Sequence, residues 1–169
     1  MAYHFNPHMS REELQWWDTR LPTWPNYEHH EWTPSSRRQK QGRDALLIYM
    51  GGKCVEVETK MINTKPGAVP IEVWHSKQDS PDSAGWPGWV AELACDFIVF
   101  GFRQTGVAAA VYFPFLKRAH EQHWGKRKWS RNRKKTDGRY WTWNVWVKQD
   151  EIAQKCGFWQ LNDPEWGAT

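Results

Sequence analysis

Two carboxylates and a lysine alternate along one short stretch of the chain, KCVEVETK at residues 53–60. Successive side chains of a strand point to opposite faces, so we expect Glu56, Glu58 and Lys60 to share one face. A face of this composition is either simply exposed to water or built to hold a metal ion and perform chemistry.

Three segments with the apolar pattern of strands surround these residues. They are residues 45–50, 53–62 and 68–76. A Gly-Gly pair between the first two predicts a tight hairpin. Asp44 directly precedes the first segment, and Glu72 lies within the third. If the three strands are neighbours in one sheet, we expect these two acids to converge with Glu58 and Lys60.

A convergence of this kind suits a divalent cation. Mg²⁺ prefers oxygen ligands and retains several waters, which two carboxylates allow. A lysine beside the ion can hold or help to deprotonate a metal-bound water and can balance the charge of a phosphate. Hydrolysis of a phosphodiester needs a metal that polarises phosphorus and lowers the pKa of water.

The order of the predicted elements favours one α/β domain. A helix, three strands, a helix and further strands predict a mixed layer fold with one central sheet. Ser10 and Glu13 form a capping box that predicts a helix over residues 11–17. The proline-rich residues 22–36 predict an irregular wrap with an exposed His29-His30 pair, and residues 34–42 a short basic helix. Asp96, between an apolar helix and an apolar strand, is interpreted as a turn or cap residue.

The acid-and-lysine pattern resembles a known family. Asp44, Glu58 and Lys60 form D-x₁₃-E-T-K on two hairpin-linked strands, which resembles the PD-(D/E)XK nuclease-like superfamily. PIEVWHS, GWPGWVAELACDFIVFGF and VYFPFLKRAH are similar to segments of phage and bacterial nuclease-like proteins of that superfamily. TWNVWVKQDEI resembles their late strand and closing helix, so the resemblance covers about residues 42–155. It implies a restriction-endonuclease-like core, with a single mixed central sheet flanked by helices.

The resemblance implies a metal-dependent nuclease that hydrolyses nucleic acid, with DNA as the expected substrate. Mg²⁺ would be the cofactor and Mn²⁺ its substitute. Asp44 and Glu58 would hold the metal with the carbonyl of Thr59, Lys60 would be the catalytic lysine, and Glu72 a supporting acid. An arginine precedes Asp44, so the proline–aspartate element of the family is absent. A structural salt bridge is an equal alternative for Glu72.

A second part of the chain points to a polyanionic partner. Residues 117–139 hold ten Lys or Arg against two acidic residues, whereas the rest of the chain holds thirteen basic and seventeen acidic residues. Trp124 and Trp129 interleave with the cations, and such a combination suits backbone tracking and base stacking. The alternative is a solvated face or loop. The predicted nucleic-acid contacts are Lys126, Arg127, Lys128, Trp129, Arg131, Arg133, Lys134 and Lys135.

Composition excludes several classes of protein. The longest apolar run, residues 107–116, is too short to span a bilayer, so no membrane partner is expected. Three widely spaced cysteines form no CxxC unit and suggest neither a zinc site nor disulfides. The expected location is the cytoplasm, in a bacterial host cell if the protein is phage-encoded.

The predicted organisation has three parts. An N-terminal helix and wrap occupy residues 1–41, the nuclease-like core residues 42–157, and a C-terminal tail residues 158–169. Many nucleases of the superfamily dimerise, so a homodimer is one expected state. One alternative function stays open, a catalytically inactive nuclease-fold protein that acts as a nucleic-acid-binding, inhibitory or assembly module in a phage–host setting. The paired carboxylates favour the enzyme, because without a cation they repel phosphate.

Overall fold

The computed structural model describes residues 9–32, 46–63, 67–76, 85–133, 141–157 and 159–161. Its contacts divide the chain into a first unit, within residues 1–66, 94–113 and 158–169, and a second unit, within residues 67–93 and 114–157. Each unit contains one sheet. The predicted mixed α/β class is therefore confirmed, but the described residues form two sheets in place of the single central sheet.

The described elements are ten strands and several short helices. In order they are α1 (Arg11–Asp18), a 3₁₀ helix (Leu21–Thr23), β1 (Tyr27–Trp32), β2 (Leu46–Met50), β3 (Lys53–Ile62), β4 (Ala68–Ser76), β5 (Trp86–Pro87), α2 (Trp89–Glu92), β6 (Phe97–Phe102), β7 (Val107–Tyr112), α3 (Phe113–Ala119), a π-helix (His120–Trp124), β8 (Ser130–Arg133), β9 (Trp141–Lys148), α4 (Gln149–Cys156) and β10 (Trp159–Gln160). Among the helices described, none has the length and apolar character to cross a membrane.

The sheet of the first unit has the order β1-β2-β3-β6-β7-β10. β3 lies in its interior, antiparallel to β2 and parallel to β6, which forms a hairpin with β7. Gly51 and Gly52 connect β2 to β3 with φ angles of +56° and +75°. Two successive residues with positive φ are characteristic of a type I′ hairpin turn, so the predicted hairpin is confirmed.

Helix α1 packs directly on the sheet of the first unit. Ser10 caps it, because its hydroxyl accepts a hydrogen bond from the Glu13 backbone N–H at 3.1 Å, and the predicted capping is confirmed. At Gly101 of β6 an added Cβ would lie 2.7 Å from the rings of both Trp16 and Trp17. The glycine therefore permits the close approach of α1 to β6.

One face of this sheet is the core that α1 covers. Its fully or nearly buried members include Leu14, Trp17, Leu21, Trp24, Ile48, Val57, Val99, Ala108 and Ala110. Val57 of β3 belongs to this face. Because β3 is regular, Glu56, Glu58 and Lys60 lie on the opposite face. The N-terminal helix therefore packs behind the acid-and-lysine face and leaves that face uncovered by α1.

The sheet of the second unit has the order β5-β4-β9-β8. β4 pairs antiparallel with β9 over its whole length, from Ala68 opposite Lys148 to Ser76 opposite Trp141. The sequence predicted β4 as a neighbour of β2 and β3, and that prediction is wrong. Consequently Glu72 does not lie in the same sheet as Glu58, and the sheet-neighbour argument for their convergence fails.

Two strands occur where the sequence predicted irregular structure. β1 (Tyr27–Trp32) lies within the proline-rich stretch and pairs with β2, and β8 (Ser130–Arg133) lies within the basic segment and pairs with β9. The prolines of the wrap fall outside β1 itself, so they do not interrupt its ladder. The short basic helix predicted over residues 34–42 lies outside the described residues.

Candidate functional site

The centre of the candidate site is the Glu58–Lys60 pair of β3. The Lys60 Nζ lies 2.6 Å from the Glu58 Oε1, and the Glu58 side chain is 1% exposed whereas that of Lys60 is 29% exposed. Their neighbours on β6, Ile98 and Phe100, are both fully buried. Burying a carboxylate is costly unless a cation or hydrogen-bond donor lies beside it, and the Lys60 ammonium is such a cation.

The pKa of the Cys95 thiol is affected by burial and by the negative charge of Glu58. Burial, followed by the nearby Glu58 carboxylate, raises the pKa of the Cys95 thiol to about 12. The thiol therefore stays protonated at neutral pH. Cys95 is a buried neighbour of Glu58 and adds to the packing around it.

Asp96 has a structural role at the start of β6. The Glu56 backbone N–H donates a hydrogen bond to the Asp96 Oδ2 at 2.9 Å. In return the Asp96 backbone N–H donates to the Glu56 carbonyl, also at 2.9 Å. The carboxylate thus fastens the start of β6 to β3, which confirms the interpretation of Asp96 as a turn or cap residue.

Glu58 is an oxygen donor of the kind that Mg²⁺ prefers. Thr59 lies on the opposite side of β3 from Glu58, so only its carbonyl remains as a donor toward this site. Asp44 lies outside the described residues; in sequence it stands two positions before β2, whose first residue, Leu46, pairs with Val57. Within the described ranges no group of three or more His, Cys, Asp or Glu side chains comes together. The carboxylate of Glu58 fits a hard cation, and the fit of the full set depends on Asp44.

Glu72 is paired with a histidine in the second unit. The His75 Nε2 lies 3.1 Å from the Glu72 Oε1, and the two side chains are 10% and 15% exposed respectively. The His75 ring stacks on Trp86 with ring centroids 5.3 Å apart. Glu72 therefore has a polar partner on its own strand, which favours the structural role that the sequence left open as an alternative.

A bulge in β4 brings Glu72 and His75 together. Residues three apart in a regular strand point to opposite faces. The register between β4 and β9 shifts between Glu72 and Trp74, so Glu72 lies opposite Asn144 and His75 opposite Thr142. Because Thr142 and Asn144 are two apart on β9, the shift turns Glu72 and His75 to the same face. The sequence contains no sign of this extra residue, and the sequence analysis missed His75.

The basic segment contains exposed cations next to aromatic rings. Lys126, Lys128 and Arg131 are exposed, and Trp129 is half-buried. The Arg131 guanidinium lies 4.4 Å from the centroid of the Trp141 ring. Trp146 is also 38% exposed. The sequence did not indicate this exposed ring, because Trp146 stands between two buried valines of β9. These residues retain the combination of charge and ring surface that single-strand binding requires.

The remaining predicted contacts have mixed outcomes. Arg133 lies in β8 opposite Trp141. Lys134 and Lys135 lie outside the described residues. Trp124, interpreted from sequence as a base-stacking residue, is fully buried, and that interpretation is wrong.

Glu151 of α4 explains the burial of Trp124. Its Oε1 accepts a hydrogen bond from the Trp124 Nε1 at 2.7 Å, and its Oε2 accepts one from the Arg127 Nη1 at 3.1 Å. The Arg127 Nη2 also donates to the Oε1. These hydrogen bonds, that of Arg127 first, lower the pKa of the Glu151 carboxyl. Arg127 is thus ion-paired within the protein, unlike the neighbouring exposed lysines.

A polar chain in the first unit was also missed. The Tyr27 hydroxyl lies 2.6 Å from the His30 Nδ1, and the His30 Nε2 lies 3.0 Å from the Asp18 Oδ1. Asp18 also accepts a hydrogen bond from the Trp32 Nε1 at 3.0 Å. The His30 side chain is only 12% exposed, so the prediction of an exposed His29-His30 pair is wrong for His30. Burial, followed by Asp18, raises the pKa of Tyr27. Its hydroxyl bonds to His30 within β1, and it is His30 and Trp32 that link β1 to Asp18 at the end of α1.

Comparisons with known proteins do not assign a function to the chain, so the functional assignment rests on the geometry of the site. No family model, curated protein or solved structure matches the chain.

Proposed function

We propose that the protein is a metal-dependent nuclease that hydrolyses phosphodiester bonds of nucleic acid, with DNA as its substrate and the bacterial cytoplasm as its place of action. The observation that carries the proposal is the buried Glu58 carboxylate, held 2.6 Å from the Lys60 ammonium group on one face of an interior strand. The sheet of the first unit would form the restriction-endonuclease-like core.

The proposal gives each residue of the site a distinct role. Glu58, with Asp44 and the Thr59 carbonyl, would hold Mg²⁺ through oxygen donors. The bound ion would polarise the phosphorus and lower the pKa of the attacking water. Lys60, whose side chain still reaches solvent, would place its ammonium group at a phosphate oxygen or at that water. Glu72, which lies in the second unit, would support the reaction only indirectly, through the stability of its own strand.

The basic segment supports the same function. Its exposed cations Lys126, Lys128 and Arg131 would neutralise backbone phosphates, and Trp129 would offer a ring to a base. Charge of this kind binds nucleic acid without reading its sequence. We therefore expect the binding affinity to fall steeply as the salt concentration rises.

A second candidate is a nucleic-acid-binding module without hydrolysis. It is favoured by the short distance between Lys60 and Glu58, because the two side chains already neutralise each other. In that case the pair would stabilise the strand, and the basic segment alone would carry the function.

Cleavage of supercoiled plasmid and of circular single-stranded DNA in Mg²⁺, Mn²⁺ or EDTA tests the proposal. We compare wild type with Glu58→Gln and Lys60→Ala. Lys53→Ala is a matched control, because Lys53 lies on the same strand and is exposed on its other face. DNA binding in EDTA, measured by fluorescence anisotropy, and circular dichroism show whether each variant is folded.

The outcomes separate the two candidates. Metal-dependent cutting that is lost in Glu58→Gln and Lys60→Ala but kept in Lys53→Ala supports the nuclease. Cutting that survives in both site variants removes Glu58 and Lys60 from the reaction. Salt-sensitive binding without cutting in any metal favours the binding module.

A further inference from the structure

An open recess of about 190 Å³ lies in the second unit between consecutive helical turns and α4. Six side chains line it, namely Phe115, Arg118, Ala119, Gln122, His123 and Lys155. None of them belongs to the Glu58–Lys60 site or to the predicted contact set of the basic segment. The recess is therefore a separate feature with a lining of its own.

The charge of the lining is positive. Arg118 comes from α3 and Lys155 from α4, and His123 adds a protonatable imidazole. No lining residue is acidic, and Glu151, which lies on α4 with Lys155, is already bonded to Arg127 and Trp124. A small site with two permanently charged cations and no carboxylate in its lining fits an anion, and phosphate esters are anions that arginine and lysine commonly bind.

The rest of the lining suits a planar ring. Phe115 is 48% exposed, and the Arg118 guanidinium lies 6.0 Å from the centroid of its ring. Ala119, which is 5% exposed, leaves room beside this ring, and Gln122 brings an amide that can donate and accept hydrogen bonds. An apolar ring beside cations and an amide matches the parts of a nucleotide, which are a base, a sugar and a phosphate.

The backbone at the recess is unusual in a way that often accompanies binding. Phe115, Arg118, Ala119 and Gln122 follow the spacing of one helix face. After Ala119 the chain continues as a π-helix (His120–Trp124), which the Gly125 N–H closes onto the His120 carbonyl at 2.7 Å. Single π-helical turns are rare and are found frequently at functional sites.

We propose that this recess holds one nucleotide of a single strand of nucleic acid, with Arg118 and Lys155 at its phosphate and Phe115 against its base. The proposal rests on the proposed nucleic-acid function and specifies the substrate class. A base within a duplex has neighbours on both faces and cannot also stack on Phe115. The recess thus selects an unpaired or terminal nucleotide.

Binding of fluorescently labelled (dT)₁₂ in EDTA, measured by anisotropy over a range of salt concentrations, tests this inference. Arg118→Gln removes one cation from the recess. Lys117→Gln is its matched control, because Lys117 is the adjacent cation on α3 but bonds to the Ala91 carbonyl at 3.1 Å and does not line the recess. Phe115→Leu removes the ring, and Phe115→Trp restores one.

We expect Arg118→Gln to weaken binding several-fold and to lower the slope of log K against log salt by about 0.7, the value of one lost phosphate contact on a single strand. Phe115→Leu should weaken binding about tenfold without changing that slope, and Phe115→Trp should restore it. Lys117→Gln should change affinity less than about twofold, as a surface cation without a phosphate contact does.

A photocross-link locates the contact directly. A (dT)₁₂ with a terminal 5-bromodeoxyuridine should cross-link within residues 115–123, as read by mass spectrometry. Cross-links elsewhere, or equal losses in Arg118→Gln and Lys117→Gln, would overturn the recess while wild-type binding and cleavage still support the nuclease. A wild type that binds no DNA overturns both. Binding of dTMP but not of (dT)₁₂ also contradicts the inference, since it assigns the recess to a free nucleotide.

Discussion

The two carboxylates predicted to share one site belong to two differently built pairs. In the first unit Glu58 and Lys60 stand two residues apart on a regular strand, with 2.6 Å between their charged atoms. In the second unit Glu72 and His75 stand three residues apart, 3.1 Å from each other, because a bulge in β4 turns them to the same face. The first pair follows from the two-residue period of side chains along a strand. The second pair forms only because the bulge in β4 interrupts that period.

The difference shows what each pair is able to do. Glu58 is almost fully buried beside an ammonium group whose side chain is 29% exposed to solvent. Glu72 and His75 are both largely buried, and the His75 ring is stacked on Trp86. We therefore expect the first pair to act on a substrate and the second to stabilise its strand and to support the reaction only indirectly.

The largest expected effect separates the pairs by activity. Glu58→Gln should lower Mg²⁺-dependent DNA cleavage by about 10²-fold or more, the size typical of a lost catalytic group. Glu72→Gln should lower it by about tenfold at most, as loss of a supporting group does. Rates from single-turnover plasmid cleavage measure both changes. Equal losses of cleavage rate in Glu58→Gln and Glu72→Gln would contradict the distinction between the two pairs, because both acids would then be equally needed for the reaction.

A stability measurement sharpens the comparison further. Lys60→Met should destabilise the protein by about 3 kcal/mol, since it removes the ammonium group that lies 2.6 Å from a buried carboxylate. The double variant Glu58→Gln/Lys60→Met should recover most of this loss, because the buried charge is then removed together with the ammonium group. His75→Gln should cost less, because glutamine still donates a hydrogen bond to Glu72. Urea unfolding gives each free energy of unfolding, and a double variant no more stable than Lys60→Met would contradict the charge argument.

Neighbouring cations of the basic segment provide the same contrast on a smaller scale. Lys126→Ala and Lys128→Ala should each weaken DNA binding uniformly across sequences and reduce the salt slope by about 1. Arg127→Ala should leave the slope nearly unchanged and lower the melting temperature, since Arg127 is bonded to Glu151. Anisotropy titrations at several salt concentrations and thermal melts distinguish these effects. If Arg127→Ala instead lowered the salt slope by about 1, as the lysine variants should, Arg127 would have to leave Glu151 and contact DNA.

The smallest expected effect is a pH dependence at Glu151. Its pKa is lowered in the folded protein, chiefly by the hydrogen bond from Arg127. A lowered pKa means that the stabilising contribution is complete above the usual glutamate range and is lost as the pH falls through the lowered value. The melting temperature of wild type should therefore fall more than that of Glu151→Gln between neutral and strongly acidic pH. Parallel curves for the two proteins would show that the carboxylate contributes nothing.

Features set by a few adjacent residues were predictable from the sequence. The Ser10 cap and the Gly51-Gly52 hairpin both depend on local chemistry, and the structure confirms them. β8 was missed because its Ser-Arg-Asn-Arg sequence lacks strand-forming residues and is held by pairing with β9. The second sheet was missed because β4 pairs with a strand that begins 65 residues after it ends, and no local pattern specifies such a partner.

The same distinction between local and distant contacts applies to the candidate site. Alternation predicted that Glu58 and Lys60 share a face, and the structure confirms it. The sequence does not identify Glu151 as the partner of Trp124 and Arg127, because Glu151 lies more than twenty residues away from both. A tryptophan among cations has the same local pattern whether it faces a base or a buried carboxylate.

The chain passes from one unit to the other four times, near residues 66, 93, 113 and 157. Neither unit is therefore a continuous stretch of sequence, and no single cut releases one of them intact. During synthesis the edge strand β10 of the first sheet emerges only after all of the second unit has left the ribosome. The first sheet therefore receives its last strand only after the whole second unit has been synthesised.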